Sequence, residues 1–352
     1  MKNTTAGVDL AKDVIQVCLV KGKRVILNKE FTIEQFVQWV VTSKPMSIVF
    51  ESCSTSNYWK QFASEQGHDA RIVSAKLVAN IRQNQKTDSN DALAIVQASQ
   101  LIEVKFIKGK SFAQQELQSL QRMRGLAKKQ KKALGNQIKS LLLEFNIRIT
   151  SQAGGIKGVV EDTLENAENG FCDQFREGLH MALQQYLQMV SNLASYDKLL
   201  RQAIKPFPDC QKLMALEGVS TVNAVNLYLV IDCEDRGPFK TGQDAAACIG
   251  VTPAQYSTGG KVNLGHIRKM GRNSREIRST LICGAMSVVK SLINREPKTQ
   301  KELWLKGIME RRGNKCAAVA LANKTVRTAF ALLTKGTYYE VQPLAGNSNV
   351  TV

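Results

Sequence analysis

Paired cysteines are missing from this chain. Eight cysteines are scattered through it with no C-x-x-C spacing, and only three histidines accompany them. That pattern argues against a disulfide framework and against a Cys/His zinc site, and reads as free thiols in a reducing compartment. No run of about 18 apolar residues occurs, so no membrane span is expected. The first nine residues, Met1 to Asp9, hold no apolar stretch of the secretory-leader kind, and a cytoplasmic location is expected. No Walker motif is present, so no ATP chemistry is expected. Acidic residues are also scarce: 30 Asp and Glu stand against 48 Lys and Arg, a formal charge of +18. A polyanion is the natural partner of such a chain.

The excess charge is uneven. Residues 101–150 carry 11 Lys/Arg against 3 Glu, and residues 261–315 carry 14 against 4. The 352 residues suffice for two or three domains. In the first hundred, β-rich stretches at 6–9, 14–20, 25–27, 46–50 and 70–73 alternate with helical spacing at 31–41 and 58–66, and a further helix begins near Thr87. That alternation means an α/β domain, set at 1–108. Residues 112–148 read as a long basic helix striped by Leu117, Leu120, Leu134, Ile138, Leu141 and Phe145. A polar link at 151–173, loop or short helix, leads to a second helix at 174–205. The pair suggests an antiparallel coiled-coil arm (109–208), with a plain helical bundle as the alternative. Residues 209–340 read as mainly helical with a Gly-rich interruption at 250–271, and 341–352 as a disordered tail.

Four carboxylates stand out. Asp9 ends the first strand in Gly-Val-Asp-Leu-Ala-Lys, and Glu51 ends the central strand in Ile-Val-Phe-Glu. Asp88 and Asp91, in Lys-Thr-Asp-Ser-Asn-Asp-Ala, have the i, i+3 spacing that puts both on one helix face. Singly, each has an ordinary explanation: Asp9 could cap a turn, and Asp88 could cap a helix. Together they supply hard oxygen ligands for two Mg²⁺ ions, which activate an oxygen nucleophile and stabilise the leaving oxygen of a phosphodiester.

The order strand-Asp, strand-Glu, helix Asp-x-x-Asp resembles the RuvC-type branch of the RNase H fold. The wording around it is similar to the DEDD transposases of the one-ten/eleven-eleven insertion-sequence group, to which the pilin-gene invertases are related. The resemblance implies Asp9, Glu51, Asp88 and Asp91 as a metal-binding tetrad, with Lys12 and Lys86 at matching motif positions as phosphate contacts. It spans about residues 5–100 and 209–336.

A second match lies further on. Leu213 to Ala224 resembles a helix-hairpin-helix turn, with Glu217 and Ser220 where the family has Pro and Gly; a phosphate-binding turn and a packing turn both remain open. Then comes Tyr256-Ser257-Thr258-Gly259-Gly260-Lys261, matching the family's signature in which a serine beside glycines attacks DNA. A hydroxyl on a Gly-flanked flexible loop can approach a phosphate closely. Arg268, Lys269, Arg272, Arg275 and Arg278 follow and could neutralise that phosphate. Ser257 is preferred as nucleophile for its less hindered primary hydroxyl, with Thr258 as the alternative.

The sequence is thus read as an RNase H-like (RuvC-type) α/β domain, a helical coiled-coil arm and a mainly α C-terminal domain. The expected activity is that of a bacterial insertion-sequence recombinase working through a phosphoserine. Its tetrad and Ser257 would meet in a composite site across subunits of a dimer or tetramer. DNA at the element ends and target is the substrate, and the resemblance implies a guide RNA. Lys128, Lys129, Lys131 and Lys132 on the basic helix are the candidate RNA grip. A hydrolytic Holliday-junction nuclease and a non-catalytic nucleic-acid-binding protein are the alternatives.

Overall fold

A computed structural model of the chain describes residues 4–231, 239–267 and 272–344, with 272–274 described by backbone alone. Arg268, Lys269 and the side chain of Arg272 therefore lie outside the described residues. The chain divides into two units: Met1–Gln115 with Leu216–Gly218 and Asn226–Val352, and Glu116–Ala215 with Val219–Val225.

The N-terminal part of the first unit is built on one mixed sheet. Strands β1 (Thr4–Leu10), β2 (Ile15–Lys21) and β3 (Arg24–Phe31) form an antiparallel meander. Helix α1 (Ile33–Thr42) leads to β4 (Ser47–Glu51), and α2 (Ser56–Glu65) leads to β5 (Asp69–Val73). Strands β1, β4 and β5 run parallel, giving the order β3-β2-β1-β4-β5. Helices α3 (Ala75–Ile81) and α4 (Asp88–Ser99) follow. Sequence spacing gave no sign of α3, which is only seven residues long.

Period-two alternation sorts the strand residues onto two faces. Ala6, Val8, Ile48 and Phe50 pack with Phe36, Val40, Trp59 and Ala63 from α1 and α2. Val49 and Val73, on the opposite face, pack with Ala94, Ile95 and Ala98 of α4 and with Val78 of α3, while Cys18 and Val20 pack with Ala92 and Val96. The sheet is covered on both sides, which is why its central strands read as near-continuous apolar runs. Thr32 starts α1 with a capping box: its hydroxyl accepts from the Gln35 N–H, and Gln35 Oε1 accepts from the Thr32 N–H at 3.0 Å.

In the second unit, α5 (Phe112–Glu144) enters from the first unit and is followed by α6 (Gly155–Glu165) and α7 (Asp173–Ala203). Arg124 Nε pairs with Asp197 Oδ1 at 2.5 Å, near the start of α5 and the end of α7. Further along α5, Ile138 and Leu142 share a core with Leu179 and Leu183 at the start of α7 and with Ile156, Val159 and Val160 of α6. Contacts thus advance along α5 as they retreat along α7, so the two helices are antiparallel. The polar link contains a true helix, α6, which supplies a third wall. Leu142 occupies the core where the stripe had named Leu141, which is 38% exposed. Helix α8 (Pro208–Lys212) closes this unit.

The remainder comprises α9 (Thr221–Ile231), which spans the boundary between the units, and α10 (Gly242–Ile249), β6 (Pro253–Thr258), β7 (Lys261–Ile267), α11 (Arg272–Ile293) and α12 (Gln300–Lys335). The Gly-rich stretch, expected as a flexible loop, is an antiparallel hairpin. Gly259 and Gly260 both have positive φ, 57° and 80°, the backbone a tight two-residue hairpin turn requires. By length and composition alone α12 could cross a bilayer, but Gly313 breaks it and Ala317, Ala318, Leu321 and Val326 are buried within the unit.

The chain after α12 departs from expectation. Val341–Leu344 were read as disordered, yet the Leu344 N–H donates to Lys298 O, and the Gln300 N–H donates to Gln342 O at 3.0 Å. Nearby, Tyr339 donates to Glu217 Oε1 at 2.7 Å and Lys301 Nζ pairs with Glu217 Oε2 at 2.6 Å. Backbone pairing holds a segment whose composition gave no sign of order, with a half-buried ion pair just before it. Residues 345–352 lie outside the described ones.

Candidate active site

Strand register brings two of the four carboxylates side by side. Ala6 and Val8 face α1 and α2, so Gly7 and Asp9 face α4. Ile48 and Phe50 face the same way as Val8, so Val49 and Glu51 turn to α4 as well. Val8 pairs with Phe50 in the parallel β1–β4 register, which sets Asp9 and Glu51 at neighbouring C-terminal strand ends. In open α/β sheets that edge is where ligands are bound.

Helix α4 delivers the other two. Thr87 caps it, accepting from the Asn90 N–H, and Asp88 and Asp91 stand in the first turn. Carboxylates there are favoured by the exposed N–H groups of the helix start. The close approach of α4 to β1 depends on Gly7: a Cβ at that position would lie 2.3 Å from Ala92 O and 2.7 Å from a Val96 methyl.

Asp9 and Glu51 feel the acids around them. Burial raises the carboxyl pKa of Asp9 above the ordinary range, with Asp91 and Asp88 adding to the rise; the Leu10 N–H and Lys86 oppose it. Glu51 is raised by burial, then by Asp9 and Asp91, against Lys86 and Arg82. Asp91 is buried at 6% exposure and accepts from Arg82 Nη1 at 2.6 Å. Sequence reasoning missed Arg82 altogether; one more arginine in a basic chain carries no pattern that marks it. Lys86 lies close enough to act on both strand acids, and Lys12 is exposed just after β1.

The donor chemistry fits hard divalent cations: Asp9 and Glu51 are raised by burial and by neighbouring acids, and Lys86 and Arg82 are the cations that oppose this among the described residues. The carboxylates are not drawn into a chelating cluster: among the described residues no three His, Cys, Asp or Glu converge closely enough to grip an ion. Arg82 holds Asp91 instead, which is what a cluster of like charges does with the nearest fixed cation.

Ser257 and Thr258 sit at the end of β6, exposed, beside the Gly259-Gly260 turn. Ser257 pairs with Val262 and Thr258 with Lys261. Among the described residues no hydrogen bond or ion pair joins this hairpin to the four carboxylates. Arg275 is exposed near the start of α11, whereas Arg278 donates to the Gly250 carbonyl at the end of α10. The turn at Gly218 packs tightly on α11, since a Cβ there would lie 2.6 Å from Gly284 O, and Glu217 is engaged by Lys301 and Tyr339. These contacts are those of a packing turn. On α5, Lys128, Lys129 and Lys132 are exposed and Lys131 half-buried.

A DEDD transposase family model of the IS110 type matches residues 6–147, and one for the transposase IS116/IS110/IS902 family matches residues 210–301. The chain is 32% identical to the transposase for insertion sequence element IS1111A of Coxiella burnetii, across 95% of this chain and 90% of that protein. It is 30% identical to a Pseudomonas aeruginosa protein described as "Probable family 20 transposase", across 96% of this chain and 99% of that one. It is 27% identical to the transposase for insertion sequence element IS1328 of Yersinia enterocolitica, with 96% and 98% covered.

Proposed function

The chain belongs to the IS116/IS110/IS902 family of insertion-sequence transposases, and from that premise we propose that it exchanges DNA strands through a covalent serine–phosphate bond. The observation that carries the reading is that Asp9 and Glu51 end neighbouring strands and that α4, packed on them, carries Asp88 and Asp91 in its first turn. An antiparallel meander continued by parallel strands, with acids at the ends of the two central ones, supports an RNase H-like, RuvC-type domain.

Asp9, Glu51, Asp88 and Asp91 are the residues that would hold two Mg²⁺ ions. When bound, such ions supply Lewis-acid polarisation of a phosphodiester and charge neutralisation at the attacking and leaving oxygens. Lys86 and Lys12 lie at the same edge as phosphate contacts. Ser257 Oγ attacks phosphorus and gives up its proton; an Oγ–P bond forms, the P–O3′ bond breaks, and the leaving 3′ oxygen takes a proton. A 3′-OH from one strand then attacks the phosphoserine of another, restoring the serine and joining exchanged ends. Phosphodiester energy is kept in the Ser–phosphate bond throughout. A homo-oligomer brings the hairpin and the tetrad together, Arg275 supports the phosphate, and a guide RNA lies along Lys128, Lys129 and Lys132.

The test is a denaturing gel of the protein with end-labelled DNA in Mg²⁺. Wild type should retain label with protein. Ser257→Ala should lose that adduct with DNA binding near wild type, and Thr258→Ala should keep most of it. Adduct lost only in Thr258→Ala would move the nucleophile by one residue. Free cleaved ends with no adduct in any variant would make the chain a hydrolase and overturn the serine reading.

A further inference from the structure

Away from the four carboxylates, a groove of about 1380 Å³ lies between the β6–β7 hairpin, the start of α10 and the length of α12. That exceeds the roughly 300–1,000 Å³ of small-molecule sites. Among the described residues its cations are Lys315, Lys324 and Arg327, with His266 beside them, and no carboxylate lines it. Its floor is apolar, from Val319 and Phe330 among others, and Trp304 stands in it 37% exposed. Lys324 Nζ lies over the Trp304 ring, 4.3 Å from the centroid.

An apolar trough with a row of cations and an exposed indole is the chemistry that binds an unpaired nucleic-acid strand. Phosphates track the cations and a base stacks on the aromatic. We propose that this groove holds the single DNA strand flanking the phosphate attacked at the hairpin tip, with Trp304 stacking a base and Lys315 and Arg327 contacting phosphates. The inference rests on the reading of Ser257 as nucleophile, because that is what makes DNA, rather than RNA, the strand here. Pro253, Gly265 and Ile267 of the hairpin form one wall. Ser257 is four residues along β6 from Pro253, about 13 Å. The ammonium of Lys324 is held below the ordinary lysine range by burial and then by Lys301, a deficit that a strand phosphate relieves.

Cys316, exposed in the groove, gives a local reporter. The experiment uses the full chain carrying Ser257→Ala, so that binding is read without covalent chemistry. Alkylation of Cys316 is followed by mass spectrometry with a single-stranded DNA oligonucleotide, the same sequence as RNA, and the duplex. Single-stranded DNA should slow alkylation several-fold, and the Lys315→Gln/Arg327→Gln pair should abolish the protection. Trp304→Ala should weaken single-strand affinity roughly tenfold, within the range for losing one stacked base, and Trp304→Phe should restore most of it. DNA that binds without protecting Cys316 would overturn the proposal, as would stronger protection by RNA or by the duplex. Failure here with an intact Ser257 adduct in the wild-type chain would refute the groove alone. Loss of the adduct with protection retained would refute the serine reading alone.

Discussion

Adding one methyl group at Gly7 should disable the chain through geometry rather than chemistry. The Cβ of Gly7→Ala would sit 2.3 Å from the Ala92 carbonyl oxygen, where real Cβ atoms keep at least 3.0 Å, so α4 must retreat by about 3.0 − 2.3 = 0.7 Å. The obstacle is backbone, and no side-chain rotation relieves it. Overpacking of this kind costs about 2–3 kcal/mol. In a cooperative unit of about 150–250 residues, where each kcal/mol moves the midpoint by about 2–4 °C, the expected fall in melting temperature is about 5–10 °C. Because Asp88 and Asp91 ride on α4, the shift also pulls them from Asp9 and Glu51. Strand cleavage should drop on the order of 100-fold, as for a comparable misplacement of reacting groups. The control is the same substitution at Gly178 in α7, where an added Cβ meets nothing within 4 Å. There Ala should stabilise the helix by about 0.5–1 kcal/mol. Calorimetry and a nicking assay on both variants decide it. A Gly7→Ala chain that melts within about 1 °C of wild type, when about 5 °C or more is expected, would refute the packing of α4 on β1.

Two further outcomes follow from charge. In metal-free buffer at pH 7, Asp9→Asn and Glu51→Gln should each raise the melting temperature, because burial and the neighbouring acids raise both carboxyls in the folded state. A raised folded pKa means stability present at low pH and lost as pH climbs past the ordinary carboxylate range, and an uncharged side chain escapes that loss. Asp91→Asn should give no such gain, since it strips Arg82 of its 2.6 Å partner; scanning fluorimetry in EDTA showing wild type above both stabilised variants would sink the argument. Glu302 has the opposite sign: Arg295 bonds to it first among the causes and holds its carboxyl below the ordinary range, with the Lys298 N–H assisting. Its contribution should be full above the ordinary glutamate range and vanish as pH falls below it, so the melting gap between wild type and Glu302→Gln should close toward pH 3. A gap that stays constant would refute the pairing.

Much of the N-terminal sheet could be read in the chain because its strands are short apolar, β-branched runs bounded by turns, and its caps are written locally, as at Thr32 and Thr87. Asp9 and Glu51 were visible for the same reason: an acid directly after buried strand residues breaks a pattern. Arg82 broke none, since its meaning comes from folding back onto Asp91. The hairpin was under-read because Gly259-Gly260 suggested looseness, whereas two positive-φ residues between Tyr, Ser, Thr and Val are a turn signal. Leu142 displaced Leu141 because a 3.6-residue helix drifts across a seven-residue stripe as it lengthens. Trp304, Lys315 and Arg327 were illegible as a group, because the kinked α12 assembles them with a hairpin some fifty residues earlier.

The antiparallel match of α5 with α7 constrains how this family can change in length. Arg124 meets Asp197, and Ile138 and Leu142 share a core with Leu179 and Leu183, so an insertion in one helix slides every later contact out of step. Insertions and deletions should therefore occur in compensating pairs, one in each helix at facing positions, and in steps that restore the buried face. The 33 residues of α5 and the 31 of α7 are nearly matched already. Single-helix indels are to be expected only beyond the shared core, in the exposed turns at 151–154 and 166–168 that flank α6.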